Sequence, residues 1–305
     1  MSRADILFRF FNTLLLSKRT KLLSEKIIVY IAIISFIVHL LFIAVGELNL
    51  IKLPVSNLLN SPIAAIYTPF TFILIYEVYL LIYYLPKSIT TYIGKQYEII
   101  TLILVRRLFK DLSHLELTSN WFQIKGDLQF TYDLLATIIL FFLIYVFYKL
   151  RDEAKTTSKK PTNEIAKFIK MKKVIAMLLI VLFIGLAAFH LISWVYESYF
   201  SINQLVDFRK DINKIFFDEF FTVLILTDVL LLLLSFAHTD KFNKVVRNSG
   251  FIISTILIRL SFGVDGLLNT ILITVAVLFG VLILIIHNKY TTLSIPYKKK
   301  NETLR

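Results

Sequence analysis

Uninterrupted apolar runs constrain this chain more than any other feature. Ile27–Val45, Ala64–Leu85, Leu134–Tyr148, Val174–Val195, Phe220–Phe236 and Leu267–Ile286 are almost free of charge. The hydrocarbon core of a bilayer is roughly 30 Å thick, which about 20 helical residues cross. A water-soluble element would interleave such residues with polar ones at the period of its own geometry, and these runs do not. Length alone suggests two soluble domains for 305 residues, but the hydropathy overrides that prior. The expected fold is an all-α polytopic membrane protein in a cytoplasmic or inner membrane.

The net charge of +13 is concentrated in segments between the runs. The leader carries Arg3, Arg9, Lys18, Arg19, Lys21 and Lys26, and a central stretch from Lys149 to Lys173 is Lys-rich. A further segment holds Lys241, Lys244 and Arg247, and the tail holds Lys298, Lys299, Lys300 and Arg305. Basic residues flank the cytoplasmic ends of spans and meet anionic inner-leaflet lipids there. The expected partners are the bilayer itself and those lipids. Nucleic acid is not expected, because no folded basic domain or aromatic RNA-binding pattern accompanies the charge. The chain has no cysteine, which excludes disulfides, thiolate metal sites and cysteine nucleophiles. No secretory signal peptide is expected, since the first apolar run is too long for one and follows a 26-residue basic leader.

Charge placement also sets the number of crossings. The leader and the central basic stretch both belong inside, so an even number of spans separates them. The clear spans, about 27–46, 63–86 and 130–149, are three. The fourth is about 90–110, despite Lys95, Glu98, Arg106 and Arg107. Spans near 173–196, 216–237 and 267–287 need a fourth in the same way, and Phe251–Phe262 with Arg259 supplies it. The reading is eight transmembrane helices with both termini cytoplasmic. It divides the chain into an amphipathic interfacial leader (1–26), a first four-helix repeat (27–149), a basic linker (150–172), a second four-helix repeat (173–288) and a basic tail (289–305). In the leader, Ile6, Leu7, Phe10, Phe11, Leu14 and Leu15 recur at helical spacing, as in a helix lying in the inner interface.

The two halves resemble each other. His39 corresponds to His190, Thr71 to Thr222 and Glu77 to Asp228, each at an offset of 151 (190 − 39). Arg106 corresponds to Arg259 at 153 (259 − 106), and Leu134-Leu-Ala-Thr to Leu267-Leu-Asn-Thr at 133 (267 − 134). Apolar runs match by chance easily, so the ordered polar matches carry the argument for tandem parallel repeats. Both would enter the membrane from the same side and relate by a pseudo-two-fold axis along its normal.

Each half thus places one histidine, one carboxylate and one arginine in apolar helices. At about 1.5 Å of rise per residue, Glu77 and Asp228 sit on the order of 14 Å from their cytoplasmic ends, near the midplane. Charges there cost about 2.5–3.5 kcal/mol each on insertion scales, so they face the bundle interior and find partners. The expected pairs are Glu77 with Arg106 and Asp228 with Arg259, either as structural neutralisation or as part of an ion path. Arg107 is expected to snorkel toward the outer interface. Thr71, Thr222, Thr101 and Thr255 are expected to make helix–helix hydrogen bonds.

No nucleotide loop, potassium-filter string, HExxH motif or nucleophile elbow is present, and His39 and His190 lack the spaced ligands of a zinc site. No cofactor, metal or enzymatic activity is expected. A four-helix unit entered from the cytoplasm with an acid on its second helix resembles a voltage-sensor domain in topology alone. The arginines stand on the third helix here, and the fourth helices have no arginine ladder. Two function classes remain. One is an ion channel or proton-coupled transporter, moving a small inorganic ion along a path near the pseudo-two-fold axis. The other is a non-catalytic sensor, effector or assembly subunit whose buried charges are structural. A homo-oligomer is compatible with either.

Overall fold

A computed structural model of the chain describes residues 3–48, 65–112, 115, 125–154, 163–200, 212–237, 242–264 and 266–302. Among them all regular structure is helical: α1 Arg3–Leu16, α2 Lys18–Glu47, α3 Tyr67–Tyr84, α4 Ile89–Leu112, α5 Lys125–Ala154, α6 Asn163–Phe200, α7 Ile212–Phe236, α8 Phe242–Ser261 and α9 Leu267–Glu302.

Local chemistry sets the breaks. Ser17 leaves the helical conformation and its side chain accepts from the Thr20 amide at 3.1 Å, a capping bond that ends α1 and starts α2. Pro86 follows α3, and Ser88 Oγ then accepts from the Thr91 amide at 3.3 Å to start α4. Gly266 takes φ 73° between α8 and α9, a left-handed conformation that costs glycine little.

Several sequence boundaries move. The leader divides at Ser17, so its last nine residues begin α2. Residues 150–154 and 163–172 of the expected linker are helical, and 155–162 lie outside the described residues. Lys244 and Arg247, read as loop residues, stand in the first turns of α8.

Four stretches among the described residues are long and apolar enough to cross a membrane: Asp5–Gly46, Gly126–Glu153, Glu219–Phe236 and Leu267–Thr292. Thr68–Tyr84 is a shorter apolar helix. The length and composition of these helices are those of a helical membrane protein. Helix α2 exposes Ile33, Ile34, Ile37 and Leu41, and α5 exposes Leu135, Ile138, Phe142 and Tyr145. Such rows are stable against lipid, not water.

Packing is sequential: α2 on α3, α3 on α4 and α4 on α5, then α6 on α7, α7 on α8 and α8 on α9. The two sets meet through α5 on α9, α4 on α8 and α3 on α6, while α1 lies against α2 and α6. The least apolar helices, α4 and α8, are therefore interior. Their contact buries the Tyr97 hydroxyl 2.8 Å from Ser254 Oγ. Tyr97 also meets Phe147 edge-on at 5.2 Å. A Cβ on Gly280 would lie 1.7 Å from the Tyr97 oxygen, so only glycine lets α9 approach here.

Candidate functional site

Polar groups collect at the basic end of the bundle, at mid-depth and at the opposite end. At the basic end a cavity of about 690 Å³ opens between α1, the α3–α4 turn, α4, α6, α7 and α8. Lys87, Lys172, Lys173, Lys244 and Arg247 line it, and Asp228 of α7 forms its floor. Lys172 is 6% exposed. Its ammonium donates to the Lys87 carbonyl at 2.9 Å. Burial lowers the Lys172 pKa to about 8, with the charge of Asp228 opposing. Burial likewise lowers Arg247 to about 10.

Asp228 is 2% exposed. Its Oδ2 accepts from Gln96 Nε2 of α4 at 3.0 Å. Its Oδ1, the Gln96 Oε1 and the Tyr92 hydroxyl are buried without a hydrogen-bond partner. The Tyr92 hydroxyl is close enough to act on the carboxylate but is not in hydrogen-bonding geometry. Buried polar atoms left in this state cost free energy unless something occupies them. Beyond Asp228 lies a pocket of about 30 Å³, lined also by Gln96, Thr255 and Arg259. That volume is enough for about one water. Arg259 then lines an open recess of about 460 Å³ with Glu219 and Thr222. Asp228 is common to the first two spaces and Arg259 to the last two.

Asp228 and Arg259, expected as a pair, line the same small pocket. Gln96, Tyr92 and Lys172 act on Asp228, and Arg259 lines the pocket beyond it. Glu77 is 6% exposed and feels the charge of Arg106, which places those two in the same neighbourhood. His39 Nδ1 hydrogen-bonds the Thr68 hydroxyl across α2 and α3. Thr101 and Thr255 donate to carbonyls of their own helices, Tyr97 and Ile252, each at 2.9 Å, so they do not make the expected interhelical bonds. Thr222 is exposed toward the outer recess. The side chains of Thr71 and His190 lie outside the described residues.

Arg107 corrects the sequence expectation most clearly. It does not snorkel. Its Nη2 donates to Asp133 Oδ1 at 2.7 Å, its Nε to Oδ2, and its Nη1 to Asn269 Oδ1 at 2.7 Å. Gln129 and Thr270 also donate to Asp133, at 2.9 and 2.6 Å. The cluster ties α4, α5 and α9 together. The signal was present: Asp133 falls inside the expected span 130–149, immediately before the matched string that begins at Leu134. Lys172 was hidden by its place in a basic run, and Gln96 by carrying no charge. Among the described residues no cluster of three or more histidines and carboxylates could hold a metal. Comparison with protein families, with curated proteins and with solved structures finds no match to this chain.

Proposed function

We propose that the chain is an integral membrane protein of eight spans in two tandem parallel four-helix repeats, and that it moves protons or small cations through its second half. The observation that carries the functional reading is the sequence of three spaces joined by Asp228 and Arg259. A mid-membrane carboxylate with an unpartnered oxygen, between a wide vestibule and a space for about one water, suits a group that takes and releases a cation. An intramembrane acid is by default a candidate for such a path. The repeat draws support from the packing, since α2·α3, α3·α4 and α4·α5 correspond to α6·α7, α7·α8 and α8·α9. The path then runs beside α4 and α8, close to the pseudo-two-fold axis. Glu77 with Arg106 occupies the corresponding place in the first half, and His39, held by Thr68, serves helix packing.

The test is flux in liposomes. Wild type is expected to dissipate a proton or monovalent-cation gradient, and Asp228→Asn to slow this by at least about tenfold, the scale of a lost charged interaction. Thr68→Val is expected to leave flux unchanged. Wild-type protein silent toward protons, sodium, potassium and chloride would refute the reading. The second reading, a non-catalytic sensor, effector or assembly subunit, would then stand. The network of Arg107, Asp133, Asn269 and Thr270 favours it, because there a buried charge pair is satisfied by neighbouring helices and serves to tie them together.

A further inference from the structure

Among the described residues, five cations and one carboxylate line the basic cavity. Lys87 comes from the α3–α4 turn, Lys172 and Lys173 from α6, and Lys244 and Arg247 from α8. Three separate elements thus converge five cations on one concavity. Among the described residues, that carboxylate is Asp228. Among the described residues no carboxylate lies within ion-pair distance of Lys87, Lys172, Lys173 or Arg247. Arg247 is instead held by neutral groups: its Nη2 donates to Asn248 Oδ1 at 3.0 Å, and its Nη1 lies 3.2 Å from His287 Nε2. A guanidinium fixed in this way is pre-oriented, so little further rotamer entropy is lost when it meets a ligand.

The hydroxyl-bearing residues Tyr83, Ser88 and Ser235 share the lining. They supply neutral donors beside the cations. The apolar side chains of Leu16, Phe168, Ile169 and Leu231 complete the wall. The volume of about 690 Å³ falls in the range of about 300–1,000 Å³ usual for sites that enclose small organic ligands. A lone inorganic anion would leave most of it unfilled. Converging lysines with one oriented arginine and several hydroxyls match the acceptor-rich oxygens of a phosphate group.

We infer that this cavity is a binding site for a phosphomonoester, with the phosphate held by Lys87, Lys173 and Arg247 and the organic body against the apolar wall. Lys172 is bound to the Lys87 carbonyl and balances Asp228, so it positions the site. The phosphate can belong to a lipid headgroup, reached past α1, or to a soluble metabolite. The site stands on charge and shape alone and does not require the chain to conduct.

The experiment uses full-length protein in phosphatidylcholine nanodiscs. One arm titrates inorganic phosphate and glycerol 3-phosphate by calorimetry. The other replaces part of the phosphatidylcholine with phosphatidic acid and counts retained lipid by native mass spectrometry. Saturable one-to-one binding in either arm is expected. Binding in the lipid arm alone assigns the headgroup source, and binding of glycerol 3-phosphate assigns the soluble one. Lys87→Gln and Lys173→Gln are each expected to weaken binding about tenfold, while Lys289→Gln, in the exposed tail, leaves it unchanged. Both lysines lie at the cavity margin, so folding is preserved and is checked by thermal unfolding. No binding in either arm overturns the inference. So does equal weakening by Lys289→Gln, since a diffuse basic field would then account for the affinity.

Discussion

Replacing Arg107 by methionine removes a cation and keeps most of the side-chain bulk. Asp133 is 0% exposed and accepts from Arg107, Gln129 and Thr270. In Arg107→Met the carboxylate keeps the two neutral donors and loses its countercharge. Opposite charges about 4 Å apart attract by about 4 kcal/mol at an effective dielectric near 20. Breaking a buried pair on one side costs about 3–5 kcal/mol in soluble proteins. The lower end of that range applies here, because the Asp133 carboxylate keeps Gln129 and Thr270 as donors. A loss of about 3 kcal/mol is expected for Arg107→Met. Asp133→Asn keeps an acceptor oxygen for Thr270 and Gln129 without the charge, so the double variant is expected to recover about 2 kcal/mol. The assay is reversible unfolding of detergent-solubilised protein in a titration with SDS. Losses that add within about 0.5 kcal/mol would mean that the two residues act independently, and the cluster would not be the clamp described.

Gly280→Ala places a methyl 1.7 Å from the Tyr97 oxygen, and overpacking of this kind costs about 1–3 kcal/mol. Tyr97→Phe in that background is expected to recover part of the loss in the same titration. The folded-state pKa of Lys172, about 8, lies below its usual value. The unfolded chain therefore binds more protons above pH 8, and the stability tied to this residue rises with pH there. Lys172→Met is expected to remove that rise; a variant with the wild-type pH slope would assign it elsewhere. The cysteine of a Ser158→Cys variant, the only one in that chain, is expected to resist a membrane-impermeant thiol reagent in intact cells, and rapid modification would reverse the proposed orientation.

The membrane class and the helix cores are legible in the sequence because both follow from uninterrupted apolar runs. So is the helical state of α4 and α8, which the sequence places at about 90–110 and 251–262. Partnerships among the polar residues are less legible. Sequence spacing puts Arg106 and Arg107 side by side, but a turn of about 100° per residue sends them toward different neighbours. Only the packing of α5 and α9 on α4 decides that Arg107 meets Asp133 and Asn269. Asp228 is a case of the same kind. The acid is plain in the sequence, while its companions Gln96 and Lys172 come from 132 positions before it and from another helix in a basic run. Thr101 and Thr255 bond within their own helices because an intrahelical carbonyl is always within reach of a hydroxyl, and no sequence pattern distinguishes that choice.

The seam between α4, α5, α8 and α9 has an evolutionary consequence. At the offsets of the proposed repeat, Tyr97 corresponds to Gly250 and Phe147 to Gly280. The Tyr97 ring faces Gly280, while Phe147 packs on the Phe251 ring at 5.8 Å. The Gly250 position is filled by Ile283, 2.8 Å from where a Cβ would stand. The Tyr97 ring and the room left at Gly280 must therefore vary together: a side chain can return at position 280 only where the ring at position 97 shrinks.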